Sequence, residues 1–354
     1  MTLTQRRHHA APGVRVGACI ACALILLTIV PAAVAIAPSV QRTDPVMFDK
    51  FFSVVDLVNS PTNDIGTGSV IGKIITPDQI GYFCVLTAAH NFPASTGIAF
   101  GYWGDGTNPA NSFANTYPIT HSFTGGSTGR KDLAVAGVRY GQIDPFFVSV
   151  KDLSLWSPSP INTDADLINV ITNDTFTEVG YGYTATRSPA AGAQTGWSPV
   201  IAVDGIQRFQ NNTVTGGAVN AVHGAFTYTE AQWTTHFPTV LNSGEGSSFQ
   251  GDSGGPYLML DEGVQKTING LLDISGAALP AQTINLFSDS IFAVHTFGSN
   301  NNPQPFGSVH GGVLLNAADI AWIQSVHALI PEPSSLALLG IGWASLMAFR
   351  RKRR

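Results

Sequence analysis

The feature that most constrains this chain is a set of three short strings in a fixed order. The first, LTAAH, ends at His90; the second, KDLAV, carries Asp132; and the third, GDSGGP, carries Ser253. The histidine and the aspartate are 42 residues apart, and the aspartate and the serine 121 residues apart. These spacings leave room for one small β-barrel and most of another. The order is itself informative, because other folds that use the same three groups present them in different orders.

The three side chains suit nucleophilic chemistry. A serine hydroxyl is a weak nucleophile at neutral pH, so a base must take its proton during attack, and a carboxylate must hold that base in the right tautomer. We expect His90 to be the base and Asp132 to orient it. The glycines around Ser253 keep backbone N–H groups open to an oxygen that gains negative charge in the reaction.

These strings resemble the histidine, aspartate and serine motifs of the trypsin-like serine peptidase family. The resemblance covers about residues 50–330 and implies an all-β fold of two six-stranded antiparallel β-barrels, with the active site in the cleft between them and a C-terminal helix. It implies a serine endopeptidase that works through an acyl-enzyme on polypeptide substrates, with no cofactor or metal. The expected limits are about 50–145 for the first barrel, about 175–318 for the second, and 319–330 for the helix.

The resemblance also assigns roles around the nucleophile. It gives the oxyanion hole to the backbone N–H groups of Gly251 and Ser253, and places a serine at the floor of the specificity pocket. A serine floor has no charge to hold Arg or Lys, so we expect a pocket that is not selective for basic residues and accepts a medium or large apolar side chain. The expected substrate-binding residues are Ser247, Ser248, Gln250, Asp273, Gly311 and Gly312.

The chain departs from the family at its start and in its cysteines. No Ile-Val-Gly-Gly start precedes the first barrel, so Asp252, which pairs with a new N-terminus in processed relatives, needs another partner. We therefore expect activity without zymogen cleavage. Cys84 lies in the apolar run YFCVL and is expected to be a buried structural thiol, which leaves no internal disulfide in a processed chain.

The charges are distributed unevenly along the chain. The formal net charge is −5, and residues 36–330 hold 22 of the 23 acidic residues but only 10 of the 18 basic ones. Such an acidic body excludes a nucleic-acid backbone as a partner. With 37 glycines and 21 prolines, the composition is typical of many short strands joined by turns.

The N-terminal end has the pattern of an export signal. Three arginines precede the apolar stretch 18–30, and Ala33-Val34-Ala35 follows it as a small-residue cleavage site. We predict a signal peptide over residues 1–35, cut after Ala35, and an N-terminal extension over 36–49. A retained membrane anchor is the alternative interpretation.

The C-terminal end combines a Pro-Glu-Pro string at 331–333, an uncharged apolar segment at 334–349 and a basic cluster at 350–354. The segment is short for a permanent transmembrane helix but long enough for transient membrane anchoring. This end resembles the PEP-CTERM sorting signal, which implies export across the inner membrane, removal of the tail by an exosortase, and a final place outside the cell or in a surface matrix. An ordinary C-terminal anchor is the alternative.

Two other functions stay open at this point. The chain could be a catalytically weak matrix or cell-surface binding protein on a protease fold, or it could hydrolyse esters with the same three groups.

Overall fold

Strands make up most of the computed structural model, which describes residues 34–37, 40–41, 53–60, 63–100, 116–158, 161–188, 196–200, 207–235, 247–260, 266–272, 274–275, 277–284, 287–298 and 303–330. The strands are β1 (Val34–Ala37), β2 (Val40–Gln41), β3 (Val54–Ser60), β4 (Asn63–Ile75), β5 (Ile80–Thr87), β6 (Gly97–Ala99), β7 (Thr116–Gly125), β8 (Lys131–Gln142), β9 (Ser154–Trp156), β10 (Thr175–Gly180), β11 (Thr184–Ser188), β12 (Gly196–Val200), β13 (Arg208–His223), β14 (Phe226–Thr234), β15 (Ser247–Phe249), β16 (Pro256–Leu260), β17 (Lys266–Ile268), β18 (Leu271–Leu272), β19 (Gln282–Ile284), β20 (Phe287–Phe297), β21 (Gln304–Pro305) and β22 (Val309–Leu314). The helices are α1 (Pro145–Ser149), α2 (Asp164–Ile171) and α3 (Ala317–His327), with 3-10 turns at Ala89–Asn91 and Gly126–Thr128.

The first barrel closes in the order β3-β4-β5-β8-β7-β6, with every pairing antiparallel. The position of strand β5 between two core clusters explains why its sequence is almost continuously apolar. Phe83 and Val85 belong to the core cluster inside this barrel, whereas Cys84 and Leu86 belong to a cluster shared with the second barrel. The strand is therefore buried on both faces, and Cys84 is a buried free thiol, as predicted.

The second barrel closes as well. Strand β10 pairs with β13, β13 with β14, β14 with β22, β22 with β20, β20 with β16, and β16 with β10, all antiparallel. Large aromatic side chains fill this barrel, among them the fully buried Phe176, Trp233 and Tyr257. The predicted fold of two six-stranded antiparallel barrels is confirmed.

The C-terminal helix α3 begins two residues before the predicted start. Asn316 caps its first turn, since its side chain accepts a hydrogen bond from the N–H of Asp319, while the Asp319 side chain accepts one from the N–H of Asn316. This capping box fixes where the helix starts. At the other end Ile330 is buried against Gly137 of the first barrel.

One of the two described strands ahead of the first barrel, β2, joins the second barrel, and the other, β1, forms a separate two-stranded sheet. Strand β1 pairs with β15, and β2 pairs with β13, both antiparallel. These pairs include part of the predicted N-terminal extension. The predicted apolar segment 334–349, most of the predicted signal peptide, and Asp273 lie outside the described residues. Within the described residues, no helix has both the length and the apolar character to cross a membrane.

Candidate active site

His90 and Asp132 meet at the edge of the first barrel. His90 lies in the 3-10 turn after β5, and Asp132 is the second residue of β8. The His90 Nδ1 atom is 2.6 Å from Asp132 Oδ2, and the His90 backbone N–H donates to Asp132 Oδ1 at 2.9 Å. The carboxylate thus holds both the ring and the backbone of the histidine. With Nδ1 donating to the carboxylate, Nε2 is left as the proton acceptor.

A buried ion pair anchors the strand that carries Asp132. The preceding residue, Lys131, places its Nζ 2.6 Å from Asp319 Oδ2 of helix α3. Both side chains are buried, and the Ser127 hydroxyl also donates to Asp319, at 2.7 Å. Helix α3 therefore fixes the start of β8, next to the carboxylate that holds His90.

Ser253 lies in the loop between β15 and β16, and its backbone is tied to the first barrel. Its carbonyl oxygen accepts hydrogen bonds from the Thr67 N–H and from the Asn91 side-chain Nδ2, both at 2.8 Å. Asn91 directly follows His90 in sequence. The contact therefore joins the histidine turn to the serine loop across the cleft. The Ser253 hydroxyl itself makes no hydrogen bond with any described residue, His90 included.

The serine loop leaves two backbone donors unused. Gly251 adopts a φ of +103° and its carbonyl accepts from the Thr67 hydroxyl at 2.8 Å, which fixes the turn. Neither the Gly251 N–H nor the Ser253 N–H donates to a residue that the structure describes. Gly254 has a φ of +93°, and a Cβ there would lie 2.0 Å from the Thr67 carbonyl oxygen, so only glycine fits. The two N–H groups are the pair that sequence analysis expects to form an oxyanion hole.

Asp252 is fully buried beneath this loop. Its Oδ1 accepts from the Gly182 N–H at 3.0 Å, and its Oδ2 accepts from the Phe249 N–H at 3.2 Å. Burial and the nearby Glu178 raise the pKa of Asp252 well above its usual value, while the Gly182 hydrogen bond and the positive charge of Arg208 oppose that rise.

The residues expected at the pocket floor belong to a buried polar network. The Ser247 hydroxyl donates to the Gln304 side-chain oxygen and lies 3.3 Å from His310 Nε2. The Ser248 hydroxyl donates to Glu178 Oε2 at 2.8 Å. Each of these five side chains is fully buried.

Burial sets the charge state of this network. It raises the pKa of Glu178 to about 8, although hydrogen bonds from Ser248 and Gln210 oppose the shift. It also lowers the pKa of His310 to about 3 and holds the pKa of His295 well below its usual value. Burial therefore favours the protonated form of the Glu178 carboxyl group and the neutral forms of both imidazoles.

The other described residues that were expected to line the pocket do not belong to this buried polar network. Gln250 is exposed at the turn before Gly251. Gly311 and Gly312 lie in β22, where a Cβ would meet the Phe297 ring and the Ala231 carbonyl in one case and the Val294 carbonyl in the other. The absence of side chains at these glycines thus lets neighbouring strands of the second barrel approach closely.

Sequence reasoning missed the residues that hold the site together. Asn91, Thr67 and the pair of Lys131 with Asp319 hold the three predicted side chains in place. Asn91, Thr67 and Asp319 lie outside the three strings, and Lys131 opens the second string without any sign of its partner. One feature of the sequence could have indicated a role for Asn91, because it follows His90 directly. No such feature marks His295 or His310, because an isolated histidine carries little information.

Comparison with known proteins identifies one segment of the chain. Residues 329–354 match the PEP-CTERM protein-sorting motif. The chain carries a sorting signal. The PEP-CTERM motif indicates export to the cell surface or beyond, and the match confirms the resemblance found at this end of the sequence.

Solved structures that are similar to the chain have low sequence identity. Human heparin binding protein is 13% identical, with 84% of this chain and 98% of that chain covered and a TM-score of 0.44. Neuropsin, a serine protease expressed in the limbic system of mouse brain, is 11% identical over 82% and 99% of the two chains, with a TM-score of 0.41. HL collagenase is 14% identical over 83% and 99%, with a TM-score of 0.45. No curated protein sequence matches the chain.

Proposed function

We propose that the protein is an exported serine endopeptidase in which Ser253 is the nucleophile, His90 the base and Asp132 the residue that orients His90. The observation that carries the proposal is the double hydrogen bond from His90 to the Asp132 carboxylate, at 2.6 and 2.9 Å. A carboxylate that holds both the ring and the backbone of a histidine leaves Nε2 ready to accept a proton. The Asn91 contact then keeps the serine loop beside that histidine.

In the proposed reaction the Ser253 oxygen attacks the carbonyl carbon of a peptide bond while His90 Nε2 takes the hydroxyl proton. The carbonyl oxygen becomes negative and accepts hydrogen bonds from the unused N–H groups of Gly251 and Ser253. His90 then gives its proton to the leaving amine, and water releases the acyl group by the same steps. The contact between the Ser253 hydroxyl and Nε2, which is absent here, would form with bound substrate, as catalytic hydrogen bonds often do.

The neutral polar network supports a specificity that excludes basic side chains. Burial favours the uncharged form of Glu178 behind Ser248, which would offer no negative charge to Arg or Lys, and Ser247, Gln304 and His310 offer hydrogen bonds without net charge. We propose that the residue before the cleaved bond is uncharged, and that its side chain contacts Ser247. A peptide library tests this point, because a strong preference for Arg or Lys at that position would overturn it.

A fluorophosphonate probe tests the nucleophile. The folded protein should form one adduct at Ser253, located by mass spectrometry, and Ser253→Ala should abolish labelling without changing the melting temperature. A folded protein without an adduct at Ser253 would remove the enzyme proposal and favour a binding role. Labelling combined with turnover of ester but not peptide substrates would favour an esterase.

The final location of the protein belongs to the same proposal. We propose that an exosortase recognises the Pro-Glu-Pro string at 331–333 and removes the apolar tail, which anchors the protein only transiently. Mass spectrometry of the protein recovered outside the cell should find a C-terminus near this string, and an intact tail would contradict the step.

A further inference from the structure

A glutamine side chain lies against the residues expected at the pocket floor. The Gln304 side-chain oxygen accepts from the Ser247 hydroxyl, and its Nε2 donates to the Ser248 carbonyl oxygen at 3.0 Å. All three side chains are fully buried, and strand β15, which carries both serines, runs into the loop of Ser253. The floor therefore offers one hydrogen-bond donor and one acceptor, and a primary amide satisfies both at once.

His310 fixes the direction of the Ser247 hydroxyl. Since that hydroxyl donates to Gln304, the imidazole is the donor in the 3.3 Å contact between His310 Nε2 and the Ser247 oxygen. The His310 ring is fully buried and stacks on Trp233, with 4.5 Å between the ring centroids. The rigidly held imidazole thus keeps the hydroxyl as a donor toward the floor, which suits an incoming carbonyl oxygen.

The backbone around Gln304 is anchored separately from its side chain. Gln304 pairs with Trp197 of β12, and the carbonyl of the next residue, Pro305, accepts from the Ser308 hydroxyl at 2.7 Å and from the Thr235 hydroxyl at 3.2 Å. These contacts do not involve the side-chain amide. The side chain can therefore turn away from the floor by rotation about its own bonds while strand β21 stays in place.

We propose that Gln304 is an internal ligand of the specificity pocket, and that a substrate side chain with a primary amide, glutamine or asparagine, replaces it at Ser247 and Ser248. The inference rests on the proposed function and deepens it, because it names the substrate class of the same site. The exchange keeps the number of hydrogen bonds at the floor unchanged, since two are broken and two are formed. The floor thus favours an amide over the apolar side chain expected from the sequence.

Other side chains do not complete this exchange. A leucine side chain would leave both the Ser247 hydroxyl and the Ser248 carbonyl without a partner. A glutamate has the shape of glutamine, but its carboxylate has no hydrogen to give to the Ser248 carbonyl, and it brings a charge into a buried site. Each buried polar group left unpaired typically weakens binding by about 10–10²-fold, so two such groups give about 10²–10⁴-fold.

Four peptides that differ only in the residue before the cleaved bond test the substrate class. That residue is glutamine, asparagine, glutamate or leucine, and kcat/KM is measured with the exported protein. At least one of the two amide peptides should exceed the glutamate and leucine peptides by about 10²–10⁴-fold. The comparison of glutamine with asparagine then gives the depth of the pocket. A glutamate or leucine peptide that is cleaved as well as both amide peptides would overturn the inference.

Two variants test the two sides of the exchange, with melting temperatures to show that each is folded. Gln304→Ala removes the internal ligand, so KM for the preferred amide peptide should fall by about 10-fold or more while kcat stays the same, because a competing resting state is gone. Ser247→Ala removes the donor and should reduce the preference for amide over leucine by about 10-fold. Ser154→Ala, at a buried serine whose hydroxyl contacts Ser290 instead, is the matched control and should keep the preference.

Binding separates this inference from the proposed function. With Ser253→Ala, isothermal titration calorimetry measures binding of the amide and leucine peptides without cleavage. Tighter binding of an amide peptide, together with a wild type that neither cleaves peptides nor labels at Ser253, would support the pocket and refute the enzyme. A labelled wild type that cleaves without preference for an amide would do the reverse. A Gln304→Ala variant that only gains cleavage after larger apolar side chains would show that the glutamine is a fixed floor, and would also overturn the inference.

Discussion

Replacing Asp319 by Asn should destabilise the protein by about 3–5 kcal/mol, the usual cost of removing one partner of a buried ion pair. The substitution keeps the shape of the side chain and one oxygen, which can still accept the capping hydrogen bond from the Asn316 N–H. It removes the charge that faces Lys131 Nζ at 2.6 Å, and it replaces the second oxygen, which accepts from the Ser127 hydroxyl, by an NH2 group. Since Lys131 is 4% exposed, its ammonium group would stay buried without a counter-ion.

The melting temperature measures this loss. A domain of this size loses about 2–4 °C for each kcal/mol, so the Asp319→Asn variant should melt about 6–20 °C below the wild type. The matched control is the double variant Lys131→Met with Asp319→Asn, which removes both charges and should regain most of the loss, because a buried pair is often replaceable by apolar groups. Differential scanning calorimetry of the wild type, the single variants Lys131→Met and Asp319→Asn, and the double variant gives the coupling between the two sites.

Two results would refute this reasoning. The first is an Asp319→Asn variant that melts within about 2 °C of the wild type, too little for a lost buried charge. The second is a double variant no more stable than the single one, which would mean that the cost comes from the helix cap and not from the unpaired ammonium group.

Three further predictions concern the site and its surroundings. Asp132→Asn should lower peptide turnover by about 10⁴-fold with an unchanged melting temperature, and near-normal turnover would assign the orienting role to another residue. Gly254→Ala should abolish labelling of Ser253 and destabilise the fold, since its Cβ would lie 2.0 Å from a carbonyl oxygen, whereas Gly129→Ala, where nothing lies within 4 Å, should cost only the strain of its φ of +71°. Because burial lowers the pKa of His310 to about 3, the unfolded chain binds a proton between pH 3 and 6.5 that the folded chain does not. The free energy of unfolding should therefore fall by up to about 1.4 kcal/mol for each unit of acidification in that window, and His310→Gln should weaken this dependence in urea titrations; an unchanged slope would show that His310 is accessible to protons in the folded state.

Local motifs, through the resemblance they carry, made the double barrel predictable, and the roles of the three central residues stay predictions. Each string that carries His90, Asp132 or Ser253 can be recognised from a few consecutive residues. The order of the three strings along the chain then restricts the fold. The structure brings His90 and Asp132 into contact and ties the serine loop to the histidine turn through Asn91.

Contacts between distant parts of the chain were not predictable in the same way. Lys131 and Asp319 are 188 residues apart, and neither stands in a pattern that indicates a partner. The burial of Glu178 depends on β10 pairing with both β13 and β16, which no local signal specifies. The predicted start of helix α3 was also two residues too late, because the capping box of Asn316 and Asp319 fixes the observed start at Ala317.

The burial of Ile330 limits the length of the connection between the folded barrels and the apolar C-terminal segment. The last described residue of the folded body is packed on the first barrel, and the apolar segment begins at residue 334. Three intervening residues span at most about 10 Å when fully extended. If the apolar segment anchors the protein in a bilayer, as proposed above, this short connection would hold the barrels almost against the lipid headgroups, and a polypeptide substrate would have to come to the membrane surface. The proposed cut would then enlarge the volume in which the protein can meet its substrates.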